Sequence, residues 1–248
     1  MTSNPRWFRA KESGKLVIRA VSARADLSIG RDPFASRLRR TMRARGIDAV
    51  LDVGANVGQY AALLRSCGYD GRIVSVEPLH DAFAELSRRS GKDAKWDCVN
   101  SAVGAEPGST VINVSANSYS SSLRSMTATH EAAAPDSAMV GQQEVQVRTV
   151  EDIASETGIE PERTLLKVDT QGFEPEVLDG AGELLRRFAA VQLELSSVEL
   201  YEGQQLFLPL AARLMGVGFE VWSLDPGISD DTGRLLQCDA LFVRATET

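Results

Sequence analysis

The stretch Val50-Leu51-Asp52-Val53-Gly54-Ala55-Asn56-Val57-Gly58-Gln59-Tyr60, followed by Arg72-Ile73-Val74-Ser75-Val76 and then Glu77-Pro78, decides the fold. It reads as strand, glycine turn, helix, and a second strand that ends in a carboxylate. The first strand is apolar, as expected of a strand buried on both faces of a parallel sheet. Gly54 and Gly58 lack side chains where a ligand approaches the backbone, and Glu77 follows about 20 residues on, where an acid accepts hydrogen bonds from a ribose. The layout predicts a site for a nucleoside-bearing cofactor, with Asp52, Gly54, Asn56, Gly58, Glu77 and Pro78 as its candidate residues. A tight turn with no ligand would leave Glu77 unexplained.

Both NAD and S-adenosylmethionine present an adenosine ribose to such an acid. A dinucleotide fingerprint has G-x-G-x-x-G, whose second glycine admits the pyrophosphate to the helix N-terminus. Here Asn56 stands at that place, and its side chain crowds a pyrophosphate but not a cofactor without phosphates. The pattern D-x-G-x-N-x-G resembles the first motif of the class I methyltransferases. A nicotinamide-dependent oxidoreductase and a non-catalytic binding protein of the same fold are the competing readings.

From Asp48 onward short apolar runs alternate with helical patterns, which predicts an α/β fold: a Rossmann-like, seven-stranded, mostly parallel sheet with helices on both faces. The strands fall at 49–53, 72–76, 95–99, 164–168, 190–195, 219–223 and 239–243. Leu79, Ala82, Phe83 and Leu86 recur at helical spacing, so a helix follows Pro78 and carries His80 on its surface. Asn100 and Ser101 end the third strand and are candidate adenine contacts, or a plain polar turn. The Ser- and Ala-rich segment Ser115 to Val140 has no sustained apolar period and reads as a substrate-side lid, with His130 solvated within it.

Leu165-Leu166-Lys167-Val168-Asp169-Thr170-Gln171-Gly172-Phe173-Glu174 is the second informative stretch: a buried strand, an acid, and a glycine-bearing turn into a helix from Pro175 to Leu185. Asp169 at the strand end can hold the methionyl end of the cofactor, ligate a metal, orient the acceptor, or cap the helix. It is not the N/D-P-P-Y/F motif typical of enzymes that methylate exocyclic amines of bases. Together with Asp52 to Gly58, Val76-Glu77-Pro78, Val177-Leu178-Asp179-Gly180-Ala181 and Gln237-Cys238-Asp239-Ala240-Leu241-Phe242, this stretch resembles the FkbM family of S-adenosylmethionine-dependent O-methyltransferases. The resemblance implies methyl transfer to a hydroxyl on a sugar, polysaccharide, polyketide or glycolipid. A neutral alcohol needs a base or a divalent metal to become nucleophilic. With two histidines in the chain, the candidates are the carboxylates Asp169, Glu194 and Asp239, as catalytic groups or as ligands of Mg²⁺.

Size and charge bound the rest. The 248 residues, 43% of them hydrophobic, suit one large α/β domain, expected over 46–248 behind a basic helical extension at 1–45. That extension holds twelve Lys/Arg against three acids, a net charge of +9 that leaves −16 for the remainder. Arg6, Arg9, Lys11, Lys15, Arg19 and Arg24, interleaved with Trp7, Phe8, Leu16, Val17, Ile18 and Val21, suggest peripheral contact with an anionic membrane surface, a solvated helix, or a transit peptide. The acidic remainder argues against nucleic acid. Three cysteines without pairing or metal spacing suggest reduced thiols and a cytoplasmic setting, and no apolar run is long enough to span a membrane.

Overall fold

The computed structural model describes residues 33–245. The basic, aromatic-interleaved stretch from Arg6 to Arg24 lies outside them. Helix α1 (Pro33–Ala44) buries Leu38 and Met42 against Ile47, Val50 and Leu64, so this part of the extension packs into the domain core.

Seven strands form one sheet: β1 (Ala49–Val53), β2 (Arg72–Val76), β3 (Trp96–Val99), β7 (Thr164–Val168), β8 (Ala190–Ser196), β9 (Phe219–Pro226) and β10 (Gln237–Arg244), in the order β3-β2-β1-β7-β8-β10-β9. All neighbours are parallel except β10, which runs antiparallel to β8 and β9. β1 and β7 are buried at every position, as their Val/Leu runs require of strands covered on both faces. Helix α2 (Gln59–Ser66) follows β1 and α3 (His80–Ser90) follows β2. The chain works outward from β1 to β3, then returns to β7 beside β1. That reversal opens a crevice at the carboxyl ends of the strands, where open α/β sheets bind ligands.

A second, three-stranded sheet was not legible in the sequence. It comprises β4 (Ala102–Val103), β5 (Gly108–Ser115) and β6 (Met139–Arg148), in the order β4-β6-β5. Its buried residues Ala102, Ile112 and Val145 pack on Leu79 and Ala82 of the α3 region, which walls one side of the crevice. The lid predicted over Ser115 to Val140 therefore joins two strands of this sheet, and its ends belong to β5 and β6. Between them run a 3₁₀ turn at Ser118–Ser120 and helix α4 (Ala128–Ala133). His130 is buried beside Tyr201 with ring centroids 4.9 Å apart, which corrects the solvated reading. The helix expected from Pro175 to Leu185 is split into α6 (Glu174–Asp179) and a 3₁₀ stretch at Gly182–Arg187, with α5 (Val150–Thr157) before β7. Gly182 has φ 48°, a left-handed backbone that interrupts the α-helix. Helix α7 (Phe207–Gly216) precedes β9. Among the described residues no helix is long and apolar enough to cross a membrane, and Cys67, Cys98 and Cys238 form no disulfide.

Candidate active site

The glycine turn is shaped first by the protein itself. A Cβ on Gly54, at φ +75°, would lie 1.8 Å from the carbonyl oxygen of Asp169, so the ends of β1 and β7 approach this closely only with glycine there. At Gly58, φ +82°, a Cβ would lie 2.6 Å from the Trp96 ring and 2.9 Å from Leu86. The second glycine thus serves helix packing, a correction to its reading as a point of ligand approach. Asn56 is left-handed too, at φ 48°. Its backbone N–H donates to Glu77 Oε2 at 2.7 Å, and its Oδ1 accepts from the Val57 N–H at 2.8 Å and from Ser118 Oγ, on the lid, at 3.3 Å.

Glu77 also accepts from the Leu79 N–H at 2.9 Å. It is 3% exposed, and burial pushes its pKa up to about 7 against the opposing pull of those two amides. A carboxylate offers about four lone-pair sites, so two remain for other donors.

Beneath the crevice a polar row crosses the sheet. Ser75 pairs with Asp52, Asp52 with Lys167, and Lys167 with Gln192 in register, which puts all four on one face. Lys167, 5% exposed, places Nζ 3.2 Å from Asp52 Oδ1, 3.4 Å from Asp169 Oδ2 and 3.3 Å from the Gly54 carbonyl. Burial disfavours its charge, but Asp52 and Asp169 outweigh that and hold its pKa above the ordinary lysine value. Asp52, fully buried, is itself raised by burial despite Lys167. Glu194 is pushed well up by burial and by the neighbouring Asp169 and Asp239 carboxylates. Asp239, opposite Glu194 on β10, accepts from Gln192 Nε2 at 3.3 Å and is pushed up to about 6 by burial and Asp169.

A cleft with a cavity volume of about 220 Å³ runs between the two sheets, and of the predicted residues Gly54, Asn56, Glu77, Pro78, Ser101, Asp169 and Glu194 line it. Asp52, Gly58, Asn100 and Asp239 do not. Asp52 is sealed under Lys167; Asn100 reaches back to the carbonyls of Glu77 and Pro78, at 2.8 and 3.2 Å. Asp239 accepts from Gln192 and is not among the lining residues. His80 is an exposed residue of α3. Asp225, near the end of β9, is an ion-pair partner of Arg37 at 3.8 Å, and Tyr201, in the loop after β8, is fully buried.

The three carboxylates proposed for Mg²⁺ do not form a metal-ligand set. Gln171 turns its amide nitrogen toward both Asp169 Oδ1 and Glu194 Oε2, at 2.8 and 2.5 Å, while the Lys167 ammonium faces Asp169 Oδ2. Donors and a cation thus already face these oxygens, and a metal would be repelled. Among the described residues no group of three or more acid, histidine or cysteine side chains is arranged to hold a metal ion. Lys167 and Gln171 are the functional residues that the sequence reading passed over. A lysine inside an otherwise apolar strand was the available signal, since a buried lysine needs an anionic partner.

The model of the methyltransferase FkbM domain family matches residues 52–221. The chain belongs to this family. The FkbM match takes in the glycine turn, Glu77, the lid, Asp169 and Glu194. Among solved structures, the methyltransferase FkbM of Methylobacillus flagellatus is similar at 17% identity and a TM-score of 0.50, over 80% of this chain and 44% of that one. The chain therefore spans less than half of that relative. An rRNA methylase from Streptococcus thermophilus aligns at 10% identity and TM-score 0.46, over 85% of this chain and 97% of that one. A precorrin-6y C5,15-methyltransferase from Geobacter metallireducens aligns at 11% and 0.43, over 86% and 87%. No curated protein is significantly similar in sequence. The FkbM domain thus sits on a class I, Rossmann-type methyltransferase fold.

Proposed function

We propose that this FkbM methyltransferase transfers a methyl group from S-adenosylmethionine to a hydroxyl of a small acceptor, a sugar, polysaccharide, glycolipid or other secondary metabolite, with Asp169 as general base. The observation that carries this reading is one cleft lined at one side by Glu77 and at another by Asp169 and Glu194. The residues fit the cofactor. Ser101 Oγ and Gln59 Oε1 are buried, line the cleft and have no hydrogen-bond partner in the protein, and Leu79, Val103, Ile112 and Leu123 supply apolar walls for a flat purine. Glu77 has lone pairs for the ribose.

When bound, the cofactor supplies an electrophilic sulfonium methyl. Asp169 would accept the proton of the acceptor hydroxyl that receives the methyl group. The ammonium of Lys167 keeps the Asp169 carboxylate fixed and electrostatically matched before the reaction. Much of the remaining rate comes from alignment in the cleft.

Mass spectrometry of candidate glycosides incubated with the protein and isotopically labelled S-adenosylmethionine tests the reading. A labelled glycoside supports it; tight binding of NAD with none of S-adenosylhomocysteine would overturn it. Because Lys167 and Gln171 already occupy the acid pair, exhaustive chelation is expected to leave the transfer rate unchanged.

The raised pKa of Glu77 gives a pH signature. Ribose hydroxyls donate to the ionised form, so the cofactor binds best where Glu77 is deprotonated. With a free-protein value of about 7, affinity should rise about tenfold from pH 6 to pH 8 and then level off. Calorimetry with S-adenosylhomocysteine checks this, and in Glu77→Gln the binding should be weaker and flat across the same range.

A further inference from the structure

Gln171 stands where the acid-bearing turn, β8 and the lid meet, and all its polar side-chain atoms are engaged. Its amide nitrogen donates to Asp169 Oδ1 at 2.8 Å and Glu194 Oε2 at 2.5 Å, using both hydrogens, one for each acid. Its amide oxygen lies 2.7 Å from the hydroxyl of Tyr201, which shares its single hydrogen with the Ser120 carbonyl, 3.1 Å away on the lid. Its backbone carbonyl accepts from Ser122 Oγ, also on the lid, at 2.7 Å. The lid is tied to the same turn by Arg124, which donates to the Gly172 carbonyl at 2.8 Å and to Glu176 at 2.6 Å.

The backbone of Gln171 is left-handed, at φ 56°, where glycine is at ease and a glutamine is strained. A turn that needed only this shape would be better served by glycine. The side chain is what repays the strain, and its contacts are the two cleft acids on one side and the lid on the other.

We infer that Gln171 is a positioning residue that fixes the spacing of the Asp169 and Glu194 carboxyls and couples it to the seating of the lid through Tyr201. The coupling rests on these hydrogen bonds; only its use in methyl transfer rests on the function proposed above. It differs from a plain loop staple in one respect: a change at Tyr201, which hydrogen bonds to neither acid, must be felt at both.

Gln171→Gly is the clean variant, because it deletes the amide while suiting the left-handed backbone, and relief of that strain offsets part of the lost hydrogen bonds, so it should still fold. Hydrogen exchange of the lid at 116–138 is expected to speed up about tenfold in it, the loss of roughly one to two hydrogen bonds. Side-chain ¹³C carboxyl resonances of Asp169 and Glu194, assigned with Asp169→Asn and Glu194→Gln, should both be displaced at fixed pH. Tyr201→Phe should displace the same two resonances in the same direction by less, and loosen the lid by less. Unmoved carboxyl resonances in Tyr201→Phe, or parental lid exchange in Gln171→Gly, would overturn the inference. Calorimetry of the parent with S-adenosylhomocysteine runs alongside: no binding there counts against the proposed function, and the resonance and exchange results still decide the role of Gln171.

Discussion

Asp169→Asn is expected to lower the rate of methyl transfer by about 10²–10⁴-fold, the range that a well-placed general base contributes. The substitution keeps the size and shape of the side chain but removes its basicity. Gln171 and Lys167 remain to hold the turn, and Asp52 remains as the partner of Lys167, so the fold should tolerate it. Glu77 and the apolar wall lie elsewhere in the cleft, so affinity for S-adenosylhomocysteine should change less than about threefold. The expected signature is a fall in kcat with KM for the cofactor nearly constant, as for an interaction made only in the transition state. Initial rates with labelled cofactor measure the first quantity and calorimetry the second. A parental rate in Asp169→Asn would remove Asp169 from the chemistry. Glu194→Gln sharpens the assignment: burial and the Asp169 carboxylate favour the neutral form of Glu194, so a neutral amide there should cost far less than Asn at 169.

Five strands of the main sheet, β1, β2, β7, β8 and β10, were readable from runs of Val, Leu, Ile or Ala that a covered sheet hides, while β3 and the largely exposed β9 were placed by the alternation of strands and helices. The glycine turn and the acids at the ends of β2 and β7 followed from where such strands stop. The small sheet was not readable for the opposite reason. β6, Met-Val-Gly-Gln-Gln-Glu-Val-Gln-Val-Arg, is mostly solvent-facing and pairs with a β5 whose apolar residues are few, so its hydrophobic signal is faint. The glycines show a second limit. A glycine in a turn says that a side chain is forbidden, but not by what; at Gly54 the obstacle is a carbonyl more than a hundred residues away in sequence, and at Gly58 it is the ring of Trp96. Asp239 shows a third. Its strand was placed correctly, but only the register and the side-chain contacts show that Asp239 sits opposite Glu194 and is held by Gln192, outside the lining of the cleft. His130 was misread because the lid folds onto the loop after β8, where Met126 bridges Tyr201, a contact that local composition cannot reveal.

Lys167→Met is expected to destabilise the fold by about 3–5 kcal/mol, the usual cost of removing one partner from a buried ion pair. The loss does not come from packing, since methionine fills a similar volume. It comes from Asp52, which is 0% exposed and would keep only the Ser75 hydroxyl, 3.3 Å away, as a side-chain partner. Its carboxyl, already raised by burial, would rise further without the ammonium. The sign of the pH effect follows. With its folded value above its unfolded one, Asp52 binds more protons in the folded variant, so the variant gains stability relative to the parent as pH falls toward about 4. The difference between parent and variant in urea should therefore narrow from pH 8 to pH 5; other buried acids such as Glu174 are common to both proteins and largely cancel. Asp52→Asn in the Lys167→Met background removes the stranded charge and should recover a large part of the deficit, a coupling that a double-mutant cycle isolates. A deficit that is equal at both pH values and indifferent to Asp52→Asn would mean that Lys167 stabilises the sheet through its stem rather than its charge. A shrinking, rescuable deficit would mean that the strand lysine and Asp52 form one electrostatic unit beneath the cleft, whose ammonium also faces Asp169.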